Sequence, residues 1–112
     1  LMNEEDFDSQ IRDLILIGQW DIAFHVFEQG CAKPCPRCGL VIPGQYARRS
    51  EKGFPDYFLV RGHRVVALEV KGTGGKLTDD QVICLELLRL TRKVEVYALW
   101  PEDSDFAVAL LL

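Results

Sequence analysis

The chain has 112 residues, enough for one ordinary domain with a real core and too few for two. Hydrophobic residues make up 48% and charged residues 27%, which argues against disorder or a fibrous repeat. Its net charge of -4 would seem to exclude a nucleic-acid binder, but residues 33 to 76 carry nine Lys or Arg against three acids, a balance of +6. The remainder stands at -10, so the expectation is one basic face for an anionic partner and an acidic remainder.

In chain order, residues 5 to 19 set Phe7, Ile11, Leu14 and Ile15 at helical spacing and predict an amphipathic helix. Ile22 to Phe27 mixes aromatic and branched residues and reads as a strand. Residues 30 to 52 hold Pro34, Pro36 and Pro43 with Gly39 and Gly44, the composition of a long loop insertion. Asp56 to Val60 and Arg64 to Lys71 are β-prone runs joined through Arg61-Gly62-His63, an antiparallel hairpin. After the glycines at 72, 74 and 75, Thr78 caps a helix over about 79 to 91. Its broad apolar set (Val82, Ile83, Leu85, Leu87, Leu88, Leu90) predicts burial on more than one side. Lys93 to Trp100 reads as a strand, and Pro101 opens a last helix or ends regular structure ahead of the apolar segment 106 to 112. The predicted fold is therefore α/β, a small mixed β-sheet with an antiparallel hairpin flanked by helices, in the order α-β-β-β-α-β-α. Residues 1 to 112 form a single domain in this reading.

The pattern that carries chemistry is Asp56 followed by Glu69-Val70-Lys71. The hairpin folds Asp56 back toward Glu69 and Lys71, which lie two apart on a strand and share a face while Val70 points to the other. Two neighbouring carboxylates repel unless a cation lies between them, and hard oxygens suit Mg²⁺ or Mn²⁺. Asp56, Glu69 and the Val70 carbonyl are the expected metal ligands, and the Lys71 ammonium would orient or deprotonate a metal-bound water or stabilise a pentacovalent phosphate. The competing reading is a surface hairpin with a salt bridge to Lys71.

In combination, Gly53-Phe54-Pro55-Asp56, Ala67-Leu68-Glu69-Val70-Lys71-Gly72 and Leu77-Thr78-Asp79-Asp80-Gln81 resemble the PD-(D/E)XK nuclease signature. More narrowly they are similar to the virus-type replication-repair nuclease (VRR-NUC) domain, over about residues 4 to 100. The resemblance implies a restriction-endonuclease-like fold and phosphodiester hydrolysis on branched or otherwise structured DNA, short stand-alone members being dimeric Holliday-junction resolvases. It implies a role for Gln81 beside the catalytic strand, and for an acid on the first helix, with Glu5 and Asp6 both candidates. Nucleases acting on flaps, nicks or linear DNA would use the same three residues.

Cys31, Cys35 and Cys38 form a Cys-X-X-Cys-Gly knuckle with one further thiol, half of a double zinc knuckle. His25 or a residue from elsewhere would complete a Zn²⁺ site, and reduced thiols in a loop are the other reading. A non-catalytic, zinc-dependent nucleic-acid-binding module is the corresponding alternative function. Arg48, Arg49, Lys52 and Lys76 surround the proposed catalytic residues and are the expected phosphate contacts. The apolar residues 106 to 112 exceed what one small sheet needs to cover, so they either build a homodimer or pack in the monomer core. No apolar run approaches the roughly 20 residues of a membrane span. The acidic start (Glu4, Glu5, Asp6, Asp8) is unlike a signal peptide, so a cytoplasmic protein of bacterial or phage type is expected.

Overall fold

The computed structural model describes residues 1–25 and 53–112. Helix α1 (Glu4–Ile17) begins at Asn3, whose side chain accepts the Asp6 amide at 2.8 Å, and Glu4, Glu5 and Asp6 suit the positive end of its dipole. Strands β1 (Ile22–His25), β2 (Tyr57–Arg61) and β3 (Arg64–Val70) follow, then α2 (Asp79–Leu90), β4 (Glu95–Leu99), a 3-10 turn (Pro101–Asp103) and α3 (Ser104–Leu111). This is the predicted order with short boundary shifts and the added turn. Of the predicted first strand, the part beyond His25 lies outside the described residues, as does the loop to residue 52.

The sheet runs β1-β2-β3-β4, with β1 and β3 antiparallel to β2 and β4 parallel to β3. A two-residue turn, Gly62-His63, joins β2 to β3, and Gly62 takes φ +61, as a tight hairpin requires of its first turn residue. The parallel pair needs a crossover, which α2 supplies. β3 is central and almost wholly apolar because both of its faces are covered.

On one face Tyr57, Leu59, Val66, Leu68, Val70 and Leu99 alternate inward against α1 (Phe7, Ile11, Ile15) and α3 (Ala107, Leu110, Leu111), making the main core. The other face receives α2 through Leu85 and Gln81. The expectation of an α2 buried on several sides is not met: Val82, Ile83, Leu87 and Leu90 are exposed, Leu90 at 75%. Periodicity could not separate these positions from core, because all of them are apolar and, of the hydrophobic residues of α2, Leu85 alone is buried. The C-terminal segment divides in the same way. Ala107, Leu110 and Leu111 enter the monomer core, while Phe106, Val108 and Leu112 are partly exposed. Among the described residues no helix is long and apolar enough to cross a membrane.

Candidate active site

The β2–β3 register ends on the pair Tyr57 and Leu68, with Asp56 just ahead of β2 and Glu69 one residue further along β3. Asp56 therefore stands at the mouth of the hairpin, beside the end of β3 that carries Glu69. Asp56 Oδ2 also accepts the Val70 amide at 2.8 Å, which fixes the carboxylate against the end of β3. Glu69 is buried at 2% exposure, and the Lys71 Nζ stands 3.9 Å from its Oε2. Lys71 is itself buried, and its backbone amide donates to Leu99 O at 2.9 Å, extending the parallel ladder past the strand end. Val70 turns the opposite way into the main core, as the alternation requires.

Two glycines make this end of the sheet possible. Gly53 has φ +82, and a Cβ there would fall 2.5 Å from the Asp80 carbonyl, so only glycine lets the chain ahead of Asp56 pass the first turn of α2. A Cβ on Gly72 would fall 2.4 Å from the Glu4 nitrogen, so the same holds where the chain leaving β3 meets the start of α1. Between these contacts Pro55 is fully buried and Phe54 stacks on Phe58 with ring centroids 5.9 Å apart.

Gln81 reaches Glu69 from α2. Its Nε2 donates to Glu69 Oε2 at 3.3 Å, while its Oε1 accepts the Thr78 amide at 2.8 Å and its own amide donates to Thr78 Oγ1. One buried amide side chain thus closes the capping box and holds the carboxylate.

A cleft of about 250 Å³ at this end is lined by Glu4, Glu5, Asp8, His25, Asp56 and Val70. Of the two helix acids open to choice from the sequence, Glu5 lines the cleft and Asp6 does not. Sequence reasoning missed Glu4 and Asp8, although their i, i+4 spacing sets them on one helix face. Asp8 accepts the Tyr57 hydroxyl at 2.7 Å and pairs with Arg12 at 3.0 Å, while Arg12 Nε donates to Tyr57 at 3.1 Å. Burial first, and then the bond to Asp8, push the Tyr57 phenol well above its ordinary range, so it remains a neutral donor.

His25 stacks on Tyr57 at 4.5 Å between ring centroids, at the edge of the acidic cleft. Its proposed zinc partners Cys31, Cys35 and Cys38 lie outside the described residues, as do Arg48, Arg49 and Lys52. Lys76 is exposed in the loop between β3 and α2.

Among the described residues no group of three or more His, Cys, Asp or Glu side chains is arranged to hold a metal. Mg²⁺ does not need such a group, since it keeps several waters and takes one or two carboxylates. The hard oxygens of Asp56 and Glu69 fit it in number and chemistry. Comparisons with family models, curated proteins and solved structures find no match to this chain.

Proposed function

We propose that this chain is a Mg²⁺- or Mn²⁺-dependent DNA endonuclease of the PD-(D/E)XK kind, similar to VRR-NUC domains, acting on branched DNA in the manner of a Holliday-junction resolvase. The observation that carries the reading is the buried Glu69–Lys71 pair at the end of β3, carboxylate 3.9 Å from ammonium, with the Asp56 carboxylate accepting the amide of Val70 between them in sequence. An ordinary surface ion pair would not be buried on both sides or tied to a neighbouring helix by Gln81.

Asp56 and Glu69, with the Val70 carbonyl, would hold the metal, whose charge lowers the pKa of a bound water and neutralises the scissile phosphate. Lys71 supplies a fixed positive charge beside Glu69, where it orients the attacking water and offsets the charge that builds on the phosphate. Gln81 holds Glu69 in one orientation, and the Val70 amide does the same for Asp56. Glu5 and Glu4 line the cleft where further waters of a hydrated ion would be accepted.

The test is cleavage of a labelled four-way junction, a flap and a linear duplex with Mg²⁺ or Mn²⁺, using wild type, Asp56→Ala and Lys71→Ala. The expected result is symmetric junction cutting by the wild type, reduced by roughly 100-fold or more in each variant. Cutting of flaps or linear DNA alone would keep the nuclease and reject the resolvase. Absence of metal-dependent cutting on every substrate would overturn the reading.

A further inference from the structure

The end of the sheet opposite the candidate active site carries a second concentration of chemistry. His63 at the β2–β3 turn, Arg64 opening β3, and Arg89, Arg92 and Lys93 around the end of α2 line a shallow cleft of about 400 Å³, in which Glu95 is the one acid among the described residues. Arg64 is held by Glu95 through hydrogen bonds of 2.7 and 2.9 Å, and Arg89 by Glu86 at 2.6 Å. Arg92, Lys93 and His63 are exposed and have no ion-pair partner among the described residues. The cleft's own lining, Arg64, Arg89, Arg92 and Lys93 against Glu95, carries +3 among the described residues, on a chain of net charge -4.

Arg92 has φ +58, the left-handed conformation that ends a helix and that glycine adopts without strain. A long cation therefore stands where the backbone favours glycine, a local cost more often tolerated at functional positions.

We infer that this cleft is a second binding surface for the nucleic-acid backbone, holding duplex phosphates through Arg92, Lys93 and His63; the inference rests on the nuclease reading for the identity of the polyanion. The active-site cleft is lined by Glu4, Glu5, Asp8 and Asp56 and repels phosphate, so backbone attraction has to come from cations elsewhere. β3 spans the two ends with seven residues, a separation of roughly 20 Å at about 3.3 Å per residue. Phosphates recur about every 3.4 Å along each strand of a duplex, so on a duplex lying along β3 this surface would fall roughly six base pairs from the scissile bond.

The experiment is fluorescence anisotropy of a labelled 20-base-pair duplex in EDTA over a range of NaCl, with wild type, the double variant Arg92→Glu/Lys93→Glu and Arg92→Gly. Binding by the double variant should weaken by about tenfold or more, and its salt slope should fall by about two, near 0.9 for each phosphate that is no longer neutralised. Arg92→Gly should bind more weakly while melting at a temperature no lower than wild type, which separates weakened binding from a damaged fold.

Unchanged affinity and slope in both arginine variants would overturn the inference, as would failure of the wild type to bind duplex. So would poly-glutamate binding that these variants lose while their duplex binding stays intact, which would mark a surface for acidic protein. Wild type that binds duplex through this end but cuts nothing with Mg²⁺ or Mn²⁺ would sustain the inference and reject the nuclease. Wild type that cuts, with variants that bind and cut equally well, would do the reverse.

Discussion

Gln81 is a residue whose two roles can be separated by substitution. It was expected beside the catalytic strand, and its geometry makes it a positioning residue, because its oxygen serves the helix cap and its nitrogen serves Glu69. Gln81→Ala removes both and should cost about 1–3 kcal/mol, the range for a missing cap and a buried carboxylate deprived of a donor. Gln81→Glu keeps an acceptor for the Thr78 amide but sets a second carboxylate against Glu69. It should be destabilised at neutral pH and recover as the pH falls toward the carboxylate range, which urea unfolding at pH 7 and pH 4.5 would show. Wild-type stability of both variants at both pH values would mean that the Glu69 hydrogen bond contributes nothing.

At the scale of elements, β3 and β4 are joined by their ladder and also at its far end by the Arg64–Glu95 pair. The Arg64 hydrogen bonds, followed by one from the Tyr97 hydroxyl, hold the Glu95 carboxyl below its ordinary range. A group with a depressed folded-state pKa adds stability that is present above its unfolded pKa and lost as pH falls through the folded value. Acidification below the ordinary carboxylate range should therefore lower the melting temperature of the wild type more than that of Glu95→Gln. The pair is about one-third exposed, so the difference should be small and should shrink in high salt. Parallel pH profiles for the two proteins would show that the bridge is energetically silent.

For the whole molecule, the first and last helices depend on each other. A Cβ on Gly18 would fall 2.0 Å from the Leu111 carbonyl, and that same carbonyl accepts the Trp20 indole at 3.0 Å. Arg61 lies over the Trp20 ring at 4.2 Å and donates to Gly18 O at 2.7 Å, binding the hairpin end to this junction. Leu111 is fully buried, so Leu111→Ala should cost about 2–5 kcal/mol by transfer and cavity terms, read from the urea midpoint. The exposed Leu112→Ala should cost under about 0.5 kcal/mol. Similar destabilisation by the two would contradict the orientation of α3.

Local chemistry written in short range determined much of this protein. Periodicity, the Thr78 cap, the Gly62 turn and the two-residue spacing of Glu69 and Lys71 were enough to give the element order and the pairing of Glu69 with Lys71. Alternation along a hairpin is a property of neighbouring residues and needs no knowledge of the rest of the chain. Tertiary structure alone decided which α2 leucine is core, that Leu111 turns inward while Leu112 does not, that Gly53 and Gly72 are demanded by backbones far along the chain, and that Glu4, Glu5, Asp8 and His25 share a cleft with Asp56. It also gathered His63, Arg64, Arg89, Arg92 and Lys93, which no sequence run unites. Each of these depends on which surfaces meet, and residues distant in sequence come together only when the whole chain buries its apolar faces at once.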